Sequence, residues 1–120
     1  MMDSILSALD SCGIAWRIDG YEPHKPPSEG PYAAVLDDTE TIGADGCVMA
    51  TRHSVTIELY DDGFDKGREV RGRLQSELAK RNLKHHRSSA HALYNEKKHL
   101  TVFDIEDYYE KTYYEGMESE

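Results

Sequence analysis

Cysteine, tryptophan and phenylalanine are scarce in this chain, with two, one and two residues among 120. Cys12 and Cys47 show neither the spacing of a disulfide framework nor that of a zinc site, so two free thiols are expected. No basic segment and no long apolar stretch accompanies the start Met-Met-Asp-Ser-Ile-Leu, and neither secretion nor membrane insertion is expected. Positive charge is also short. Fourteen Lys and Arg stand against 23 Asp and Glu, a net charge of -9. That balance argues against general nucleic-acid binding, whose affinity comes mostly from Lys and Arg on phosphates.

What is present is polar yet ordered in pattern. Hydrophobic residues make up 38% and charged residues 31%, and the mean hydropathy is -0.71. A chain of this length supports one domain that buries roughly two-thirds of its unfolded surface, here with a thin core and large solvated or intersubunit surfaces. The charge is divided unevenly. Residues 66–87 hold eight basic residues against two acids, a net +6, and the other 98 residues carry a net -15. Such a division can steer self-association, the basic face of one copy meeting an acidic face of the next; the plain alternative is a solvated basic helix.

Along the chain, Asp3 or Ser4 caps a short helix with Ile5, Leu6, Ala8 and Leu9 as its apolar stripe, and Gly13 suits its end. Residues 14–18 read as a brief strand. All four prolines fall in residues 23–31, which with Gly30 form a loop, either a rigid contact surface or a connector. Residues 32–41 have strand composition, with turn chemistry at 42–46. The clearest strand is 51–60, where Val55, Ile57 and Leu59 alternate with Ser54, Thr56, Glu58 and Tyr60. A helix over about 65–81 places Val70, Leu74 and Leu78 in a narrow stripe and is the main cover of the core. Residues 84–94 and 100–107 form strands flanking the connection 95–98, with Leu93, Leu100, Val102, Phe103 and Ile105 supplying core contacts. The class is α+β: a single domain over 1–108, mainly an antiparallel sheet covered on one face by a long helix, with a short N-terminal helix. An acidic, tyrosine-rich tail over 109–120 follows.

The sequence carries no catalytic or metal-binding signature. His85, His86 and His91 fail as a metal site, because on one strand His86 faces away and the other two lie about 20 Å apart. A calcium loop starting at Asp61 needs Gly sixth and Glu twelfth, where this chain has Lys66 and Gly72. Residues 43–46 lack the spacing and lysine of a phosphate loop. Neither cysteine has a local nucleophile motif, and the adjacent acids Asp37-Asp38 and Asp61-Asp62 fit turns and strand ends. No enzyme activity, cofactor or metal is expected. Aromatic residues are more suggestive: Trp16 fits the core, while Tyr113 and Tyr114, beyond Tyr108 and Tyr109, fit docking on a neighbouring subunit or a disordered tail.

The succession Pro31-Tyr32-Ala33-Ala34-Val35, Ala44-Asp45-Gly46, Val55-Thr56-Ile57-Glu58-Leu59-Tyr60-Asp61, a helix, and Leu100-Thr101-Val102-Phe103-Asp104-Ile105 resembles the tail terminator and tail-completion proteins of long-tailed phages and prophages. The resemblance spans roughly residues 1–108 and is a pattern of positions. It implies a hexameric ring at the head-proximal end of the tail tube, which ends tube polymerisation and joins tail to head. The implied partners are further copies of the chain, the tail tube protein and the head-tail connector, with DNA only in transit and no membrane. The implied location is the virion tail, and the host bacterial cytoplasm during assembly. On this reading Arg68, Arg71, Arg73, Lys80, Arg81, Tyr113 and Tyr114 are the candidate subunit interface. The alternative is a small cytoplasmic ligand-binding or regulatory domain using the open sheet face and the proline loop.

Overall fold

The amphipathic start folds as a helix, but Asp3 and Ser4, expected to cap it, lie inside its first turn. Helix α1 (Met2–Ser11) buries Ile5, Ala8 and Leu9 and ends at Gly13, whose φ of 69° lets Ile14 N–H return to the Leu9 carbonyl at 3.0 Å. The computed structural model describes residues 2–19, 30–44, 47–93 and 97–111. Most of the expected proline loop, the turn at Asp45 and Gly46, the first half of the connection 95–98, and Tyr113 and Tyr114 lie outside them.

After α1 come β1 (Ala15–Ile18), β2 (Tyr32–Ala44), β3 (Cys47–Asp61), α2 (Phe64–Lys80), β4 (His85–Arg87), β5 (His91–Leu93) and β6 (Lys98–Lys111). The six strands form one sheet in the order β1-β2-β3-β6-β4, with β5 also on β6. The sheet is mixed. β1 runs parallel to β2, pairing Ala15 with Tyr32 and Ile18 with Val35; the 13 residues between the strands meet the length that a parallel connection needs. The other pairings are antiparallel.

Alternation decides the core. Val35, Ile57 and Phe103 stand side by side across β2, β3 and β6, and all three are fully buried with Ala33, Val55, Leu59 and Ile105. Both helices supply the same cluster, Ile5, Ala8 and Leu9 from α1 and Leu74 and Leu78 from α2, whereas the sequence had assigned the cover to the long helix. Val70 packs at its edge, as does Trp16, whose indole N–H donates to Asp10 at 2.9 Å. Leu93, Leu100 and Val102, expected in the core, are only half-buried. In β6 the period of two gives the inner face to Thr101, Phe103 and Ile105, and so turns Leu100 and Val102 to the other.

The single strand expected over 84–94 is two. Arg87 pairs with Phe103 and His91 with Leu100, so four steps on one side match three on the other, a bulge. Ser88 explains it: its hydroxyl accepts the Val102 N–H at 3.0 Å and its own N–H donates to the Val102 carbonyl at 2.9 Å. A serine side chain thus takes a backbone place in the ladder.

Strands β2, β3 and β6 run on beyond Val35, Val55 and Ile105 as a three-stranded ribbon, with Thr41 paired to Thr51 and Thr51 to Glu110. The radius of gyration is 17.0 Å and the longest dimension 57 Å, against about 14 Å for the radius of a compact domain of this length.

Candidate functional site

Two features of the joint between β3 and α2 are decided by one carboxylate. Asp61 is 2% exposed, accepts the Gly63 N–H at 2.7 Å, and receives the Arg71 guanidinium bidentately, Nε at 2.8 Å and Nη2 at 2.9 Å. The fork fixes the entry angle of α2 against the sheet. It also dictates glycine at 67: a Cβ there would fall on Asp61 Oδ1 and stand 2.8 Å from Arg71 Nη2. Gly63, at φ 84°, is likewise required, since a Cβ would collide with the His99 ring.

Beside this joint lies a cleft of about 510 Å³ lined by Gly30, Pro31, Asp62, Phe64, Lys66 and Val70, among others. Lys98 bonds two of the lining residues, Asp62 and Gly30. Its ammonium meets the Asp62 carboxylate at 2.5 Å, reaches the Gly30 carbonyl at 3.4 Å and sits 5.6 Å above the Tyr32 ring. The Lys98 hydrogen bond is the main cause that holds the Asp62 carboxyl below its ordinary range. Tyr32 in turn stacks on Tyr60 with centroids 4.9 Å apart.

The proposed interface residues divide into two groups. Arg68, Arg73 and Lys80 project from α2, with side chains 79%, 53% and 67% exposed, and pair within the helix to Asp65, Glu69 and Glu77. Arg71 does not belong with them. Its side chain is 9% exposed, because it sits on the α2 face that meets the end of β3. Arg81 is also engaged inside the chain: Nη2 donates to Ser11 at 3.1 Å and Ser7 at 3.3 Å, tying α2 to α1, while Nη1 pairs with Glu77. That bond, then the one from Lys80, lowers the Glu77 carboxyl. Burial raises the Cys12 thiol, which lies under the helices with Glu77 adding to the shift.

Among the described residues no group of three or more His, Cys, Asp or Glu is placed to hold a metal ion. No helix there is long and apolar enough to cross a membrane. Sequence reasoning passed over Phe64, Gly67 and Lys98. A signal for the first two lay in Asp-Asp-Gly-Phe-Asp-Lys-Gly, where a bulky aromatic follows the turn glycine and a second glycine interrupts the first helical turn. Compared with models of known protein families and with curated proteins, the chain matches none.

Proposed function

We propose that this chain is a tail terminator or tail-completion protein of a long-tailed phage or prophage, acting as a hexameric ring at the head-proximal end of the tail tube. The observation that carries the reading is the adjacency of the segments on which the resemblance rests. Residues 32–35, 55–61 and 100–105 are scattered in sequence, and they form three neighbouring strands whose inner faces make the core. A pattern of positions without catalytic residues is what a shared assembly scaffold leaves in a sequence. On this reading α2 is the main cover of one sheet face, and the opposite face is open to a partner.

The mechanism is geometric. A heterologous ring closes with one rim matched to the tube and the other to the connector, and no bond is made or broken. Arg68, Arg73 and Lys80 meet acidic surface on the next copy, since Arg68 and Arg73 pair with exposed acids and Lys80 shares Glu77 with Arg81, so each exchanges partners at little cost. Acidic residues toward the lumen let DNA pass without adhering. Light scattering of the full chain, with and without tail tubes, tests this: a ring mass is expected, and a monomer unchanged by tubes would overturn it.

One observation favours the second reading, a ligand-binding or regulatory domain. The cleft beside Gly30 and Pro31 falls in the size range of small-molecule sites. A metabolite retained by the purified chain and lost on Lys66→Met, a substitution in the lining of the cleft, would support it.

A further inference from the structure

The chain holds three Asp–Gly pairs, at 19–20, 45–46 and 62–63. In the last of them both residues belong to the described structure, where they connect β3 to α2. Such a pair is open to backbone rearrangement, because glycine puts no Cβ in the way of an attack by its own amide nitrogen. The nitrogen bonds to the aspartate Cγ, its proton and the carboxyl hydroxyl leave as water, and a succinimide ring closes. Water then adds to one of the two ring carbonyls and breaks that carbon's bond to nitrogen. Addition at Cγ restores aspartate, whereas addition at the main-chain carbon leaves isoaspartate, whose backbone runs through Cβ.

The fold carries this reactive pair by necessity. Gly63 holds a φ of 84° and lies against the His99 ring, so no shielding side chain can replace it. What the tertiary structure adds is a restraint on each reacting group. The Asp62 side chain is 56% exposed, yet both its oxygens are held, Oδ1 by the Lys98 ammonium at 2.5 Å and Oδ2 by the Gly30 N–H at 3.2 Å. The Gly63 N–H is donated to Asp61 Oδ1 at 2.7 Å.

Lys98 is the unusual member of this set. It is 6% exposed, a burial that costs an ammonium its hydration and is offset by Asp62, the Gly30 carbonyl and the Tyr32 ring. Its bond to Asp62 also works on the chemistry. A carboxyl must carry a proton to lose its oxygen as water, and the Lys98 hydrogen bond is the main cause that holds this one ionised below the ordinary range. We propose that Asp62–Gly63 is a site of spontaneous isoaspartate formation and that Lys98 is its latch, drawing the Asp62 carboxyl off the Gly63 nitrogen while the joint is intact. Rearrangement here inserts a methylene into the main chain between β3 and α2. It moves Gly63 away from Asp61, whose carboxylate sets the start of α2. The inference concerns the chain itself and holds for a monomer or a ring.

The test is incubation of the full chain at neutral pH in H₂¹⁸O, followed by peptide mapping with electron-transfer fragmentation. That readout reports ¹⁸O uptake and isoaspartate at each of the three pairs separately. A synthetic peptide of residues 58–67 supplies the unrestrained rate. Position 62 is expected to react about tenfold or more slowly in the folded chain than in the peptide. Lys98→Met with native circular dichroism is expected to speed it about tenfold, with positions 19 and 45 at their wild-type rates. Lys98→Gln, which keeps a donor for the Gly30 carbonyl without the charge, is measured beside it, so that a Met variant that does not fold still leaves a decision. A wild-type chain reacting at the peptide's rate would overturn the latch, as would folded variants no faster than wild type at 62 or a gain spread equally over all three pairs. A peptide that does not rearrange at 62 would overturn the site itself.

Discussion

At the scale of single residues, the chain depends on one buried charge pair. Asp61 and Arg71 have side chains 2% and 9% exposed, so removing either leaves a charge stranded in a poorly solvated joint. Arg71→Leu is expected to lower stability by about 3–5 kcal/mol in urea unfolding, and Asp61→Leu/Arg71→Leu to recover part of that loss. Charge reversal at Arg71 therefore acts on the fold before any assembly is reached. Gly67 gives a second test, in which two effects oppose. Alanine in a helix interior is favoured over glycine by about 1 kcal/mol, but the added Cβ would fall on Asp61 Oδ1 and push the fork apart. Gly67→Ala is expected to lower the urea midpoint, and a raised midpoint would show that the pair has room to shift. Neither role was legible in the sequence. Asp61 and Arg71 each looked like ordinary polar residues, one in a turn and one in a basic run, and only the packing of α2 on the end of β3 removes both from water.

At the scale of elements, periodicity carried most of the information. β3 and α2 were legible because their apolar residues recur at two and at three to four, and each repeat is local. The break between β4 and β5 was not, since it follows from a serine hydroxyl bonding across the ladder to Val102. Nor was the length of β2, β3 and β6 beyond the core, where pairing between strands extends structure that composition alone ended early. For α2 the division into inward Arg71, helix-bridging Arg81 and outward Arg68, Arg73 and Lys80 makes a discriminating prediction. Arg73→Glu/Lys80→Glu touches exposed side chains. Its unfolding free energy is expected to change by no more than about 1 kcal/mol while its assembled mass in light scattering falls. An equal loss of both would remove these residues from the interface.

At the scale of the whole molecule, acid is expected to act through the carboxylates that hold cations. Asp62 and Glu77 both titrate below their ordinary range, through Lys98 and through Arg81 then Lys80 respectively. A carboxyl lowered in the folded state contributes stability that is fully present above its unfolded value of about 4 and is lost as pH falls through the lower folded value. Thermal unfolding should therefore owe little pH dependence to these two groups between pH 7 and 5 and should weaken below about 4; Asp62→Asn should flatten that acid limb, and an unaltered limb would refute the role of Lys98. Local spacing was enough for the α+β class, the sign of charge on each segment and the inward apolar residues of β3 and the two helices, because those properties repeat within a few residues. Tertiary structure alone decided that β1 runs parallel to β2, that Arg71 faces inward, and that an exposed Phe64 stands at the start of α2. Those outcomes depend on which surfaces meet across the fold, and burial is a property of the surroundings that no local spacing encodes.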